Sequence, residues 1–263
     1  MGRAGDSVKF DRAVGYYDRT RALQPEASKA VSGLLAAELR GRGPTLEIGT
    51  GTGRIALPLH DEGIELVGAD LSAAMLGRLV DNAGGTELFP LVCADATALP
   101  FAGGSFGSAF LCHVLHLIPD WRAALKEIVR VLRPDGIFLN DLGGWGSLHT
   151  APHRSILQRW AEIGGFEIEP RGAAEVGQVN DAMADLGLRV RELPVIVSTK
   201  SYTLADLLGA LADGMWSCTW DAPERPRRAA AREVEGWVLS TYGDLSEPRE
   251  YEMHIAWHAY ERV

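Results

Sequence analysis

Apolar and polar positions along this chain follow two rhythms, one of strand length and one of helical spacing. From Thr45 to Asn140 the short apolar runs are Thr45 to Ile48, Glu65 to Ala69, Leu88 to Cys93, Gly107 to Cys112 and Gly136 to Asn140. Between them lie helix-like stretches, notably Ser72 to Asn82 and Trp121 to Leu132. The second has Asp120 as a natural N-cap and ends at the turn signal Arg133-Pro134-Asp135-Gly136. Alternation of this kind predicts βαβ units on a parallel sheet covered on both faces. Such crossovers are right-handed, and ligands gather at the carboxyl ends of the strands.

Before the sheet, residues 7–40 predict two helices, the first carrying Phe10, Tyr16 and Tyr17. After it, 143–187 reads as mostly helical and punctuated by glycine, and Arg189 to Tyr202 as another strand. Thr203-Leu204-Ala205-Asp206 resembles a capped helix start, with a polar helical region to about Ser240. Tyr251 to Tyr260 predicts a last strand, added antiparallel. The expected fold class is α/β: a doubly wound, Rossmann-like, mostly parallel sheet of seven strands, the last antiparallel, with helices on both faces. Without repeats or low-complexity linkers, residues 1–263 are expected to form a single domain with helical segments at 143–187 and 203–245.

Composition narrows the class. With 46% hydrophobic and 23% charged residues, the chain has the balance of a folded globular protein. It contains no run near the ~18 apolar residues of a membrane span. The polar start, Met1 to Asp11, has no apolar stretch behind it, which predicts no secretion signal and a cytoplasmic location. Cys93, Cys112 and Cys218 form no pair at metal-ligand spacing, and no metal is expected. A net charge of −9 argues against a nucleic-acid partner. Monomer and homodimer both stay open.

The chemistry concentrates at Thr45-Leu46-Glu47-Ile48-Gly49-Thr50-Gly51-Thr52-Gly53-Arg54. An apolar run passes through three alternating glycines into a helix-like stretch, which reads as strand, tight loop, helix. Glycine permits positive φ and lets a ligand approach the backbone, and the helix start presents unpaired N–H groups. A mere turn would use the same glycines. Gly51-Thr52-Gly53-Arg54-Ile55-Ala56 also matches the G-x-G-x-x-A dinucleotide fingerprint, with Asp70 after the next strand for ribose hydroxyls. That makes an NAD(P)-dependent oxidoreductase the alternative. Against it stand Glu47 before the glycines and Asp95 after the third strand, since a carboxylate at Glu47 favours a cation rather than a pyrophosphate.

Four stretches now carry a resemblance: Leu46 to Arg54, Val67-Gly68-Ala69-Asp70-Leu71-Ser72 with Met75-Leu76, Ala94-Asp95-Ala96 with Leu99-Pro100-Phe101, and Val131 to Gly136. Phe110 to His116, followed by Leu117-Ile118-Pro119-Asp120-Trp121, adds a fifth. The chain is similar to class I S-adenosylmethionine-dependent methyltransferases, in the group of the ubiquinone/menaquinone-biosynthesis enzymes and their small-molecule relatives. The likeness covers residues 45–140 well and the rest only in general architecture.

The resemblance implies S-adenosyl-L-methionine as cofactor and a small-molecule acceptor. Gly49, Thr50 and Gly51 would pass close to its methionine part, Glu47 would favour the ammonium, and Asp70 would take both ribose hydroxyls. Leu71 and Met75 would pack on the adenine, while Asp95 and the backbone of Ala96 would hold its edge. Backbone atoms near Cys112 and His113 would touch the methionine amine. The N-terminal segment 7–40 would form a helical lid, with Tyr17 and Arg21 in contact.

Methyl transfer from a sulfonium is a direct displacement, so the protein mainly aligns the reactants, worth ~7–11 kcal/mol. A base is needed only for an acceptor that arrives protonated, and His113 and His116, just past the fourth strand, are the candidates. Trp145, His149, Met215, Trp216 and Trp220 are the candidate acceptor-pocket aromatics and neighbours, with Trp216 and Trp220 expected on one helical face. An S-adenosylmethionine-binding protein without transfer activity is the other reading.

Overall fold

The computed structural model describes residues 7–143 and 152–262. Trp145 and His149 lie outside the described residues. Contacts divide the chain into two units, one of residues 1–143, 171–196 and 255–263 and the other of residues 144–170 and 197–254.

The first unit is built on seven strands. These are β1 (Thr45–Ile48), β2 (Leu66–Asp70), β3 (Leu91–Cys93), β4 (Phe106–Cys112), β5 (Leu132–Asp141), β6 (Leu188–Glu192) and β9 (His258–Arg262). Their order is β3-β2-β1-β4-β5-β9-β6. β1 pairs in parallel with β2 and β4, β2 with β3, and β4 with β5. β9 runs antiparallel to both β5 and β6, so the last strand of the chain is the reversed one, as expected. All four residues of β1 are buried, as are the first six of β4, which is why these strands read as continuous apolar runs rather than alternating ones.

Helices cover the sheet. Among them are α1 (Tyr17–Arg21), α2 (Pro25–Leu39), α3 (Ala56–Asp61), α4 (Ala73–Asn82), α5 (Trp121–Val131) and α7 (Val176–Asp185). In α5 the buried positions Trp121, Ala124, Leu125, Ile128 and Val131 recur at helical spacing, and the Asp120 side chain accepts from the Ala123 N–H at 3.1 Å. Ser72 caps α4 in the same way, accepting from Met75 N–H. One core cluster joins Leu46, Ile48, Leu111, Phe138 and Tyr260 of the sheet to α5 and α7.

Three boundaries differ from the sequence expectation. The turn signal at 133–136 stands inside the β5 pairing, where Phe106 pairs with Leu132 and Ser108 with Ile137, so the intervening residues bulge outward. Arg189 to Tyr202 is two strands, β6 and β7 (Ile196–Tyr202), interrupted at Pro194, whose missing N–H cannot serve a ladder. Tyr251 to Tyr260 likewise divides into β8 (Arg249–Ile255) and β9, and β8 pairs with β7 in a separate two-stranded sheet.

The second unit contains α6 (His153–Gly164), α8 (Leu204–Asp213) and α9 (Glu224–Tyr242) around a core of Ile156, Trp160, Leu211, Val234 and Val238. Thr203 and Asp206 form a reciprocal capping box at α8. Gly214, at φ 69°, terminates that helix, so Met215, Trp216 and Trp220 do not share a helical face as expected. Trp216 precedes a short 3₁₀ turn and Trp220 follows it, donating its Nε1–H to the Gly214 carbonyl.

Candidate functional site

A cleft of about 660 Å³, counting its open mouth, lies at the carboxyl ends of β1, β2, β3 and β4. Its wall contains Gly49, Gly51, Asp70, Leu71, Met75, Asp95, Ala96, Cys112 and His113, which the sequence had singled out, together with Tyr17 from α1. Arg21, Glu47, Thr50 and His116, also singled out, are not part of that wall. Residues unrecognised in the sequence complete it: Ser7, Val8, Phe10, Ile48, Ala94, Val114, Leu117 and Ile118. The apolar ones read as ordinary core positions, and no local pattern distinguishes the two uses.

The glycine loop is held by its surroundings. Gly49 has φ 72°, and a Cβ there would stand 2.4 Å from Val114 Cγ2. Asp70 Oδ2 accepts the Gly51 N–H and Oδ1 accepts the Ser72 N–H, both at 2.8 Å. Burial raises the Asp70 carboxyl above the usual range even though these bonds favour its charge. Asp95 Oδ1 accepts from the Thr97 N–H and hydroxyl.

Behind the loop lies a buried polar group. Glu47 is 2% exposed, and its Oε2 accepts the Thr50 hydroxyl at 2.6 Å. Burial pushes its carboxyl up to about 8, against the Thr50 bond and the nearby Arg54 guanidinium. Arg54 donates to the Arg21 carbonyl and, through Nη2, to Cys112 Sγ at 3.2 Å. Glu47 thus stands behind the loop, bonded to Thr50, and is not part of the cleft wall.

Its titration carries a testable consequence. The folded chain holds the Glu47 proton to higher pH than the unfolded chain, so its contribution is fully present below about 4.5 and is lost as pH rises toward about 8. Melting temperature measured from pH 6.5 to pH 8, above the range in which the depressed His113 and His116 raise stability with pH, should fall, and Glu47→Gln, which keeps an acceptor for Thr50, should flatten that fall. Identical slopes in the two proteins would remove Glu47 as its source.

Past β4, His113 is the non-glycine residue with positive φ among the described residues, at 61°. Its N–H donates to the Asp141 carbonyl at 2.8 Å, and its Nε2 lies 3.3 Å from Asp141 Oδ2. Burial lowers its pKa while Asp141 opposes that shift, and the net direction favours neutral imidazole. His116, in a 3₁₀ turn, is pushed down to about 3 by burial, and its Nδ1 is buried without a hydrogen-bond partner.

The N-terminal segment reaches the cleft through side-chain and backbone bonds. Ser72 donates its hydroxyl to Asp11, and Val8 N–H donates to the Leu117 carbonyl. Asp18 accepts from the Thr52 hydroxyl, Arg78 and Asn82. Burial opposes its charge, but those three bonds hold its carboxyl below the usual range.

A parallel sheet of this order with one reversed strand, a glycine loop after its first strand and acids after its second and third, defines the class I methyltransferase fold. Residues 46–140 match the family model described as a methyltransferase domain. Malonyl-[acyl-carrier protein] O-methyltransferase of Halorhodospira halophila is 29% identical over 198 residues, 74% of this chain and 63% of that protein. Demethylmenaquinone methyltransferase of Thermus thermophilus is 41% identical over 95 residues, 35% of this chain and 43% of that protein. The chain therefore spans less than two thirds of either curated relative. Among solved structures, the YcgJ protein of Bacillus subtilis shares the fold with a TM-score of 0.58 at 19% identity, over 89% of this chain and 99% of that one. Among the described residues no helix is long and apolar enough to cross a membrane.

Proposed function

We propose that this protein is an S-adenosylmethionine-dependent methyltransferase acting on a small, partly apolar acceptor by direct displacement. The observation that carries the reading is the pairing of Asp70 and Asp95, at the ends of adjacent strands, on one cleft wall with the Gly49–Gly51 backbone. When bound, the cofactor supplies a sulfonium methyl that a nucleophile displaces. Asp70 offers the ribose hydroxyls the lone pairs its loop bonds leave free. Leu71 and Met75 supply an apolar face for the adenine, and Asp95 with the Ala96 backbone supplies its polar edge. Backbone atoms of Cys112 and His113 border the methionine amine, while Glu47 stands behind the loop, where a bound cation would favour its ionised form over the protonated one that burial favours. Tyr17 and residues 7–21 cover the cleft and exclude water.

His113, neutral and on the cleft wall, takes the base role for an acceptor that arrives protonated; His116, off that wall, does not. A cytoplasmic setting fits the three free cysteines. The dinucleotide reading would put a pyrophosphate over a loop backed by Glu47 and fastened by Asp70, two acids with no gain from it.

Thermal-shift titration tests the reading. S-adenosylmethionine and its demethylated product, each at about 100 times its dissociation constant, should stabilise the fold by about 2.7 kcal/mol. Stabilisation by NAD or NADP alone would overturn it.

A further inference from the structure

Cys112 and His113 of the cleft wall and Asp141 behind it bring together a thiol, an imidazole and a carboxylate, with their ligand atoms all within 4.8 Å of one another. We propose that these three side chains form a site for a thiophilic divalent metal ion of the zinc class, its fourth coordination position open to the cleft. Sulfur, nitrogen and oxygen donors in this number are what zinc takes where one position stays open.

The spacing supports an ion. His113 Nε2 is 3.3 Å and Cys112 Sγ 3.8 Å from atom Oδ2 of Asp141. A tetrahedral ion with bonds of ~2.0–2.3 Å separates its ligand atoms by about 3.3–3.6 Å. Consecutive residues of a strand point to opposite faces, yet the positive φ of His113 turns its ring toward the partners of Cys112. The His113 N–H bond to the Asp141 carbonyl fixes that turn, and Gly143 leaves room for the ring, since a Cβ there would lie 1.8 Å from it. Cys112 and His113 line the cleft, while the Asp141 side chain is 5% exposed.

The charges around the site offset one another in part. Burial pushes the Cys112 thiol up, against the thiolate that a metal requires; the Arg54 guanidinium, 3.2 Å from Sγ, opposes that shift and also repels the metal itself. The thiolate and Asp141 supply two negative charges against three positive ones from the ion and Arg54, while burial holds Glu47 protonated. An ion on Nε2 also takes the lone pair that a base needs, so metal occupancy and base catalysis at His113 exclude one another.

Cobalt(II) titrated into the metal-free full chain tests the site. A single equivalent should give a thiolate-to-cobalt charge-transfer band that zinc displaces. The band should survive in Cys93→Ser/Cys218→Ser, where Cys112 is the remaining thiol of the three. It should vanish in Cys112→Ser, and His113→Asn, whose side chain tolerates positive φ, should weaken binding about tenfold or more. Absence of the band in the wild type, or its loss from the Cys93/Cys218 double variant, overturns the proposal.

Discussion

Asp70→Ala is expected to weaken S-adenosylmethionine binding tenfold or more, measured by calorimetric titration. The carboxylate holds the Gly51 and Ser72 N–H groups at 2.8 Å each and lines the cleft. Bonds to a charged group contribute ~1.5–3 kcal/mol, and tenfold in affinity corresponds to about 1.4 kcal/mol. Asp70→Asn keeps one acceptor, so its loss should be intermediate. Unchanged affinity in Asp70→Ala would move the ribose site elsewhere.

Gly107→Ala is expected to cost more than about 3 kcal/mol of stability, read from denaturant unfolding, because it overpacks against backbone. A Cβ at that position would stand 1.6 Å from the Arg42 carbonyl oxygen. The Gly107 N–H donates to the Pro44 carbonyl, so β4 cannot move away without losing that bond. The same substitution at Gly77 meets nothing within 4 Å and should be well tolerated. Equal stability of the two variants would mean that the chain before β1 yields easily.

The β1-to-β5 layout was legible because each strand is a buried apolar run and each turn carries its own chemistry: glycine at 49–53, the caps Ser72 and Asp120. The cleft wall was legible where acids and glycines stand at strand ends, as at Asp70, Asp95 and Gly49. It was not legible where contact depends on folding distant segments together. Val8 and Phe10 carry no local sign that they line a cleft, and Asp141 looks like any strand-end acid until His113 turns onto it. The reverse holds for Glu47, conspicuous in the motif yet buried behind the loop. The breaks between β6 and β7 and between β8 and β9 were missed because β-branched residues continue across Pro194 and an aromatic, Trp257, fills the second gap.

Asp18 binds Thr52 of the glycine loop as well as Arg78 and Asn82 of α4, and Asn82 also donates to the Thr52 carbonyl. The segment over the cleft and the loop beneath it therefore share one set of bonds. Linkage makes their coupling mutual: an occupant that orders the loop tightens the cover by the same free energy with which the cover tightens the occupant. Loosening Asp18 would then weaken the occupant's binding although Asp18 is not part of the cleft wall.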